Sequence, residues 1–387
     1  MFKCQRGYVL RKIKNVMYLV PYGQQMADLK KGIFLNETGT LLWNTIHERN
    51  GCDLPELVKT LADHYELGEK HFPMLEKDTN VFIHQMCSMG LLVADLALLD
   101  QGAPVHMKIA NLLLDFYGPK DLFETYFKDF LIDSCEEDAD QKIEFITAHP
   151  TSHCYGQVLL RNEDMMILEN HDRYVVLFPQ MENIYEVHMS LSGDYVRFYC
   201  SPEVSDRNCE NIFHALRLFF LFIAQKNDLF AIHSASILYR KKAWLFSGHS
   251  GIGKTTHTKL WHTIVGTPYL NGDLNLLGIC DDKVKVYGIP WCGTSKIYTT
   301  KTFELGGIVL LGQNDQTDHL VELNPSEKVL RVMQRMISPS WTEPLLLRNL
   351  DFSDQIAEMV PILHLSCTKN DSAVHTIQKE IDRLEDL

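Results

Sequence analysis

Residues 248–255 read Gly-His-Ser-Gly-Ile-Gly-Lys-Thr and fill every fixed position of the spacing G-x-x-x-x-G-K-[ST]. The chemistry such a loop performs is phosphate binding. Its glycines let the backbone curl until the N–H groups converge on phosphate oxygens, and the helix that follows adds the positive end of its dipole. Lys254 would reach the β- and γ-phosphates, and Thr255 would offer its hydroxyl to Mg²⁺. The expected ATP contacts are Gly248, Ser250, Gly251, Ile252, Gly253, Lys254, Thr255 and Thr256.

The flanks fit this chemistry. The apolar run Ala243–Phe246 reads as a strand, and Thr256–Trp261 as the first turns of a helix. Upstream, Ala231–Leu238 reads as a strand carrying His233, with Tyr239–Lys242 as the hairpin turn. Downstream, Asn271-Gly272-Asp273 closes a short strand at Pro268–Leu270, where a carboxylate could hold Mg²⁺ or accept a hydroxyl proton. His233, Lys254 and Asp273 are therefore the candidate catalytic residues, and Thr255 and Asp273 the candidate metal ligands. Cys280–Lys283 reads as a hairpin turn and Tyr287–Lys296 as a Gly/Pro-bracketed loop able to close over phosphates. Ile308–Leu311 reads as a core strand, and Ser326–Ile337 as an amphipathic helix carrying Lys328, Arg331 and Arg335.

Residues 1–98 read as a separate small unit. Tyr8–Leu19 alternates like a strand or hairpin before a turn at Pro21-Tyr22-Gly23, and Asp28–Phe34 suggests a further strand. Asn36 opens a helix through His47. Asp53 with Pro55 caps a second over Glu56–Tyr65, and a third over Lys70–Met89 ends at Gly90 before the strand Leu91–Val93. Residues 99–115, with Gly102 and Pro104, read as a linker. Residues 116–228 read as a strand-rich region in which Asp133–Gln141 is an acidic loop. Alternating runs follow at Val158–Leu160, Met166–Leu168, Tyr174–Phe178, Val187–Leu191 and Tyr195–Tyr199, then an apolar-faced helix over Glu210–Ala224. Residues 229–387 would be the catalytic domain, although little after 313 can be read.

The N-terminal unit resembles the PqqD family of peptide-recognition domains through Leu35-Asn36-x-Thr38-Gly39-x-x-x-Trp43, the Leu57–Tyr65 helix and Asp78…Phe82…Met89-Gly90-Leu91-Leu92. The resemblance implies a winged-helix-like fold and a ribosomally made precursor peptide that adds to a sheet edge as a strand. Residues from about 230 to 312 resemble the HPr kinase/phosphorylase catalytic domain and its relative phosphoenolpyruvate carboxykinase. The matching residues are His233, Gly248–Thr255, Asn271-Gly272-Asp273 and the glycine loop within Tyr287–Gly293. That family carries two adjacent aspartates after the loop, one for the metal and one as base. Here Gly272 replaces the first, so Asp273 matches the metal-side residue and the identity of the base stays open. The family's C-terminal arginine has three candidates, Arg331, Arg335 and Arg348. The fold class implied is α+β / α/β multidomain, a PqqD-like domain followed by a mixed-sheet P-loop domain.

The 387 residues have a formal net charge of −13, which argues against nucleic acid or an anionic membrane as the main partner. Ten cysteines with no C-x-x-C pair suggest reduced thiols in the cytoplasm and no structural zinc. A basic stretch at Arg11–Lys14 is followed by no apolar signal region, and the apolar Leu218–Ala224 is too short to span a bilayer. The expected function is ATP- and Mg²⁺-dependent phosphorylation of a serine or threonine hydroxyl on a peptide or protein, by a chain that the kinase resemblance allows to be a homo-oligomer. Two alternatives stand beside it: a non-catalytic ATP-binding peptide chaperone, and a small-molecule kinase or carboxykinase-like enzyme.

Overall fold

The computed structural model describes every residue except 28–29, 95–102, 119, 135–136, 148–149, 151–155, 171–172, 202–205, 315 and 387. The chain forms two compact units, one of residues 1–100, 146–191 and 197–202, the other of 101–145, 192–196 and 203–387. Both mix α and β structure. No helix among the described residues is long and apolar enough to cross a membrane. The described cysteines are free thiols; Cys135 and Cys154 lie outside the described residues.

In the first unit, Tyr8–Ile13, Val16–Pro21 and Ile33–Leu35 form an antiparallel sheet. Three helices, Glu37–Glu48, Leu54–His64 and Phe72–Ser88, pack Leu42, Trp43, Ile46, Leu57, Leu61 and Met86 into one core. Local chemistry sets the first two starts. Asn36 accepts the Gly39 N–H, and Asp53 and Glu56 close a reciprocal capping box. The strand expected over 28–34 is confined to Ile33–Leu35; residues 28–29 lie outside the described residues, and Gln24–Ala27 is a single helical turn. Gln157–Arg161, Met166–Glu169, Arg173–Leu177 and Ile184–Ser190 make an antiparallel meander in the same unit.

The second unit corrects two expectations. Most of the supposed linker is strand: Val105–Ile109 and Leu112–Tyr117 form a hairpin around Ala110, whose φ is +56°. The helix expected over 326–337 ends at Met333, because Met336 pairs with Ile232 as a bridge.

The architecture rests on two strands of eleven residues, Leu229–Tyr239 and Phe303–Gln313. Each pairs first in one sheet and then in another. Leu229–His233 lies antiparallel to Leu274–Gly278, whereas Ser234–Tyr239 lies antiparallel to Lys242–Ser247. Phe303 and Glu304 pair with Lys285–Val286. From Leu305 on, the strand runs parallel to Ala243–Ser247, and from Ile308 parallel to Ile362–Cys367. The first sheet forks from the second at His233. One face packs Phe230, Leu245, Leu310 and Phe352; the other packs Trp244, Phe246, Trp261 and Val309 under the helices Lys254–Val265 and Asp371–Glu385.

Candidate phosphate-binding site

The loop leaves the carboxyl end of the strand Lys242–Ser247 and enters the helix Lys254–Val265. Gly251 and Gly253 hold φ of +78° and +111°, which L side chains rarely adopt, so both bends need glycine. The crown (His249, Ser250, Gly251, Thr255) is exposed. Ile252 is different: its side chain is buried in the core beside Phe246 and Trp261, and its N–H donates to the His249 carbonyl at 3.3 Å. It anchors the loop, and its side chain offers a ligand nothing.

Lys254 is 7% exposed, yet its only hydrogen bond among the described residues runs 3.4 Å to the Gly248 carbonyl. Burial pushes its pKa down; Asp273 opposes this and Arg335 reinforces it. A desolvated ammonium whose one hydrogen bond is a long one to a carbonyl is costly until an anion joins it.

At the fork, His233 Nε2 donates to Asp273 Oδ1 at 3.1 Å. That bond holds the Asp273 carboxyl below its usual range, against burial and with help from Lys254 and Arg217. Three backbone ties fix the pair. Ser247 Oγ donates to the His233 carbonyl at 2.7 Å, the His233 N–H to the Arg335 carbonyl at 2.9 Å, and the Ser234 N–H to the Asp273 carbonyl at 2.9 Å.

A buried polar quartet fills the fork. Asn275 Oδ1 accepts from Ser236 Oγ at 2.7 Å and Asn271 Nδ2 at 2.8 Å. Asn275 Nδ2 donates to the Ser234 carbonyl at 2.8 Å and to its Oγ at 2.9 Å. The diverging sheets leave backbone groups that an apolar fill would orphan, and these amides and hydroxyls satisfy them.

Gly272 and Gly293 are needed for space. A Cβ on Gly272 would lie 1.8 Å from Ser295 Oγ, and one on Gly293 would lie 2.9 Å from Asp273 Cβ. The turn Gly293–Ser295 thus occupies the room a second carboxylate would take. Trp291 anchors the preceding loop: its Nε1 donates to the Phe213 carbonyl at 2.7 Å and its ring stacks on Phe213.

Among the other candidates, Arg335 acts on Lys254, whereas Arg348 donates to the Gln225 carbonyl at 2.5 Å and pairs with Asp228 at 2.8 Å. Arg348 caps the helix Asp206–Lys226. Arg217, unforeseen in the sequence, stands exposed on that same helix and favours the ionised Asp273. His257 Nε2 lies 3.2 Å from Cys367 Sγ. Burial pushes His257 down and the thiol up to about 11, so the pair is neutral and the sulfur no nucleophile.

No cluster of three His, Cys, Asp or Glu side chains among the described residues could hold a metal.

Fold and site define a mixed α and β protein with a strand–glycine loop–helix at its second unit and a His–Asp pair at the fork beside it. The family model "Coenzyme PQQ synthesis protein D (PqqD)" matches residues 26–92. A solved structure, the Hpr(Ser) kinase/phosphatase from Coxiella burnetii, is similar over 40% of this chain and 97% of that one, with 13% identity and a TM-score of 0.24. No curated protein matches the chain.

Proposed function

We propose that the chain transfers the γ-phosphoryl group of ATP to a serine or threonine hydroxyl of a peptide, with the PqqD-like segment holding that peptide. The single observation that carries the reading is the buried, unpaired Lys254 ammonium at the foot of a glycine loop, next to a His-held carboxylate. The loop amides and Lys254 bind the triphosphate, Arg217 adds positive charge, and His233 orients Asp273. Mg²⁺, taken up by Thr255, Asp273 and phosphate oxygens, would neutralise charge on the transferring group. The acceptor oxygen bonds to the γ-phosphorus, the bond from that phosphorus to the bridging oxygen breaks, and ADP leaves. The hydroxyl proton passes to a γ-phosphoryl oxygen, because Asp273 Oδ1 accepts from His233 and Oδ2 is the oxygen left for Mg²⁺. A depressed pKa makes Asp273 a weak base, which a loose transition state tolerates because it asks little of a base. Tethering the peptide raises the local concentration of its hydroxyl.

With γ-labelled ATP and candidate precursor peptides, Lys254→Ala is expected to abolish transfer while peptide affinity stays unchanged. Equal transfer by the variant would refute the assignment. Gly272 favours one second reading, a peptide holder whose nucleotide site performs no chemistry. Nucleotide uptake without label transfer to any peptide would support that reading instead.

A further inference from the structure

A cavity of about 310 Å³ opens beside the first glycine of the loop. Its wall includes Gly248, Glu327, Leu330, Arg331, Arg335 and His364. Arg331 and Arg335 are half-buried, and neither guanidinium makes a hydrogen bond or ion pair among the described residues. The one carboxylate in the wall is otherwise engaged: Glu327 Oε2 accepts the Asn324 N–H at 3.0 Å and closes the cap of the helix Pro325–Met333. His364 Nδ1 is buried with no hydrogen-bond partner among the described residues. Two cations and an unsatisfied imidazole around so small a space suit a carboxylate, which a guanidinium can bind through two parallel hydrogen bonds.

The cavity's place in the fold says which molecule brings that carboxylate. In the phosphoryl-transfer reading the triphosphate sits chiefly on the loop crown and the helix start, and of its expected contacts only Gly248 also lines the cavity. The Arg335 segment instead borders the His–Asp pair, since its carbonyl accepts the His233 N–H at 2.9 Å. An anion here therefore lies on the side where the acceptor hydroxyl must stand. Exposed Leu330 offers apolar contact at the rim.

We propose that the peptide acceptor carries an aspartate or glutamate adjacent to the hydroxyl that is phosphorylated, and that Arg331, Arg335 and His364 bind its carboxylate. The proposal rests on the phosphoryl-transfer reading and narrows its substrate class.

Calorimetric titration of the full chain with N-acetyl-Asp-Ser-amide and N-acetyl-Asn-Ser-amide tests it without any turnover. The acidic dipeptide is expected to bind at least about tenfold more tightly, in line with the value of a charge-assisted pair. Arg331→Met and Arg335→Met should each erase most of that preference, and Arg331→Lys should restore part of it. Equal affinities, including no uptake of either dipeptide, would overturn the proposal, as would a preference that survives both arginine substitutions. MgATP is titrated into the same variants. A loss of MgATP affinity as large as the dipeptide loss would assign the cavity to the nucleotide and also overturn it. If the unsubstituted chain takes up no MgATP, the phosphoryl-transfer reading fails, while the dipeptide comparison still reports on the pocket.

Discussion

Replacing Gly272 with alanine tests whether the turn Gly293–Ser295 leaves room for any side chain at this position. The backbone there is not left-handed, so only neighbours oppose a side chain. The new Cβ would meet Ser295 Oγ at 1.8 Å and Ser295 Cβ at 2.8 Å, against the ~3.5–4.0 Å of an ordinary carbon contact. Ser295 could swing its hydroxyl away, losing the bond to the Cys292 carbonyl at 2.8 Å and the one from the Ile297 N–H at 3.3 Å. Those two weak bonds cost about 1–2 kcal/mol together. The Cβ–Cβ clash remains, because the Gly272 N–H is tied to the Ile297 carbonyl at 2.9 Å, and overpacking of this kind adds about 1–3 kcal/mol. Gly272→Ala should therefore destabilise the second unit by about 2–5 kcal/mol. At ~2–4 °C per kcal/mol for a unit of this size, its melting midpoint falls by roughly 4–20 °C. Ser295→Gly removes both clashing atoms, so the double variant should recover about 1–3 kcal/mol relative to the sum of the single effects. Thermal and urea unfolding of the nucleotide-free chain measure each corner of this cycle. Alanine tolerated within about 0.5 kcal/mol, or strictly additive variants, would refute the steric argument. In the Ser295→Gly background, Gly272→Asp sets a second carboxylate beside Asp273, and like charge raises the pKa of the pair. Its transfer rate is expected to exceed that of the Ser295→Gly parent.

Three further outcomes follow from the same geometry. Asn275→Leu takes away the acceptor of the Ser236 hydroxyl, the donor to the Ser234 carbonyl and one of two partners of the Asn271 amide, and should cost about 3 kcal/mol or more in urea unfolding; a loss under about 1 kcal/mol would contradict the quartet's role. Lys254 loses its proton at a lower pH in the fold than in the open chain, so between its folded pKa and 10.5 the unfolded state binds more protons and stability rises with pH. A bound polyphosphate favours the ammonium, so MgATP affinity should fall over that same window, and calorimetry of Lys254→Met should show a flat profile there. Asp53→Ala removes one half of the capping box and should destabilise the first unit by about 1 kcal/mol by thermal unfolding, with no change in MgATP uptake.

What the sequence disclosed was local. The glycine loop is eight consecutive residues with strand and helix on either side. Asn36 and Asp53 announce helices by chemistry within three positions of the start. The turns at Arg240-Lys241 and Asp281-Asp282, all with positive φ, join strands too close in sequence to pair otherwise. Contacts between distant segments were hidden. Asn271 reads only as the end of a short strand and Asn275 carries no signal of its own, but the fork brings both against Ser236, and Asn275 against Ser234. Arg217 sits in an apolar helix and acts on Asp273 only through the fold. Gly102 and Pro104 suggested a break, but the tight turn at Ala110-Asn111 carries no glycine or proline signal. After residue 313 the helix Glu343–Met359 did have a start signal in Pro344, but its packing face is interrupted by Asn349 and Ser353, both buried through hydrogen bonds.

The electrostatics of the site run against those of the chain. A net charge of −13 repels anions at a distance, yet Lys254 and Arg217 both act on the ionised Asp273, Arg335 acts on Lys254, and Arg331 and Arg335 line the cavity beside the loop. At physiological salt the field of remote charges is screened within ~8 Å, so what an incoming phosphate or carboxylate meets is this local excess of cations. Folding brings these like charges together at a cost, which desolvation of Lys254 increases. That cost stands in the free protein because the fork, the quartet and the Ser247–His233 bond hold the strands that bear it. An anion entering the site would relieve it, so binding there would draw in part on an electrostatic cost that the fold already carries.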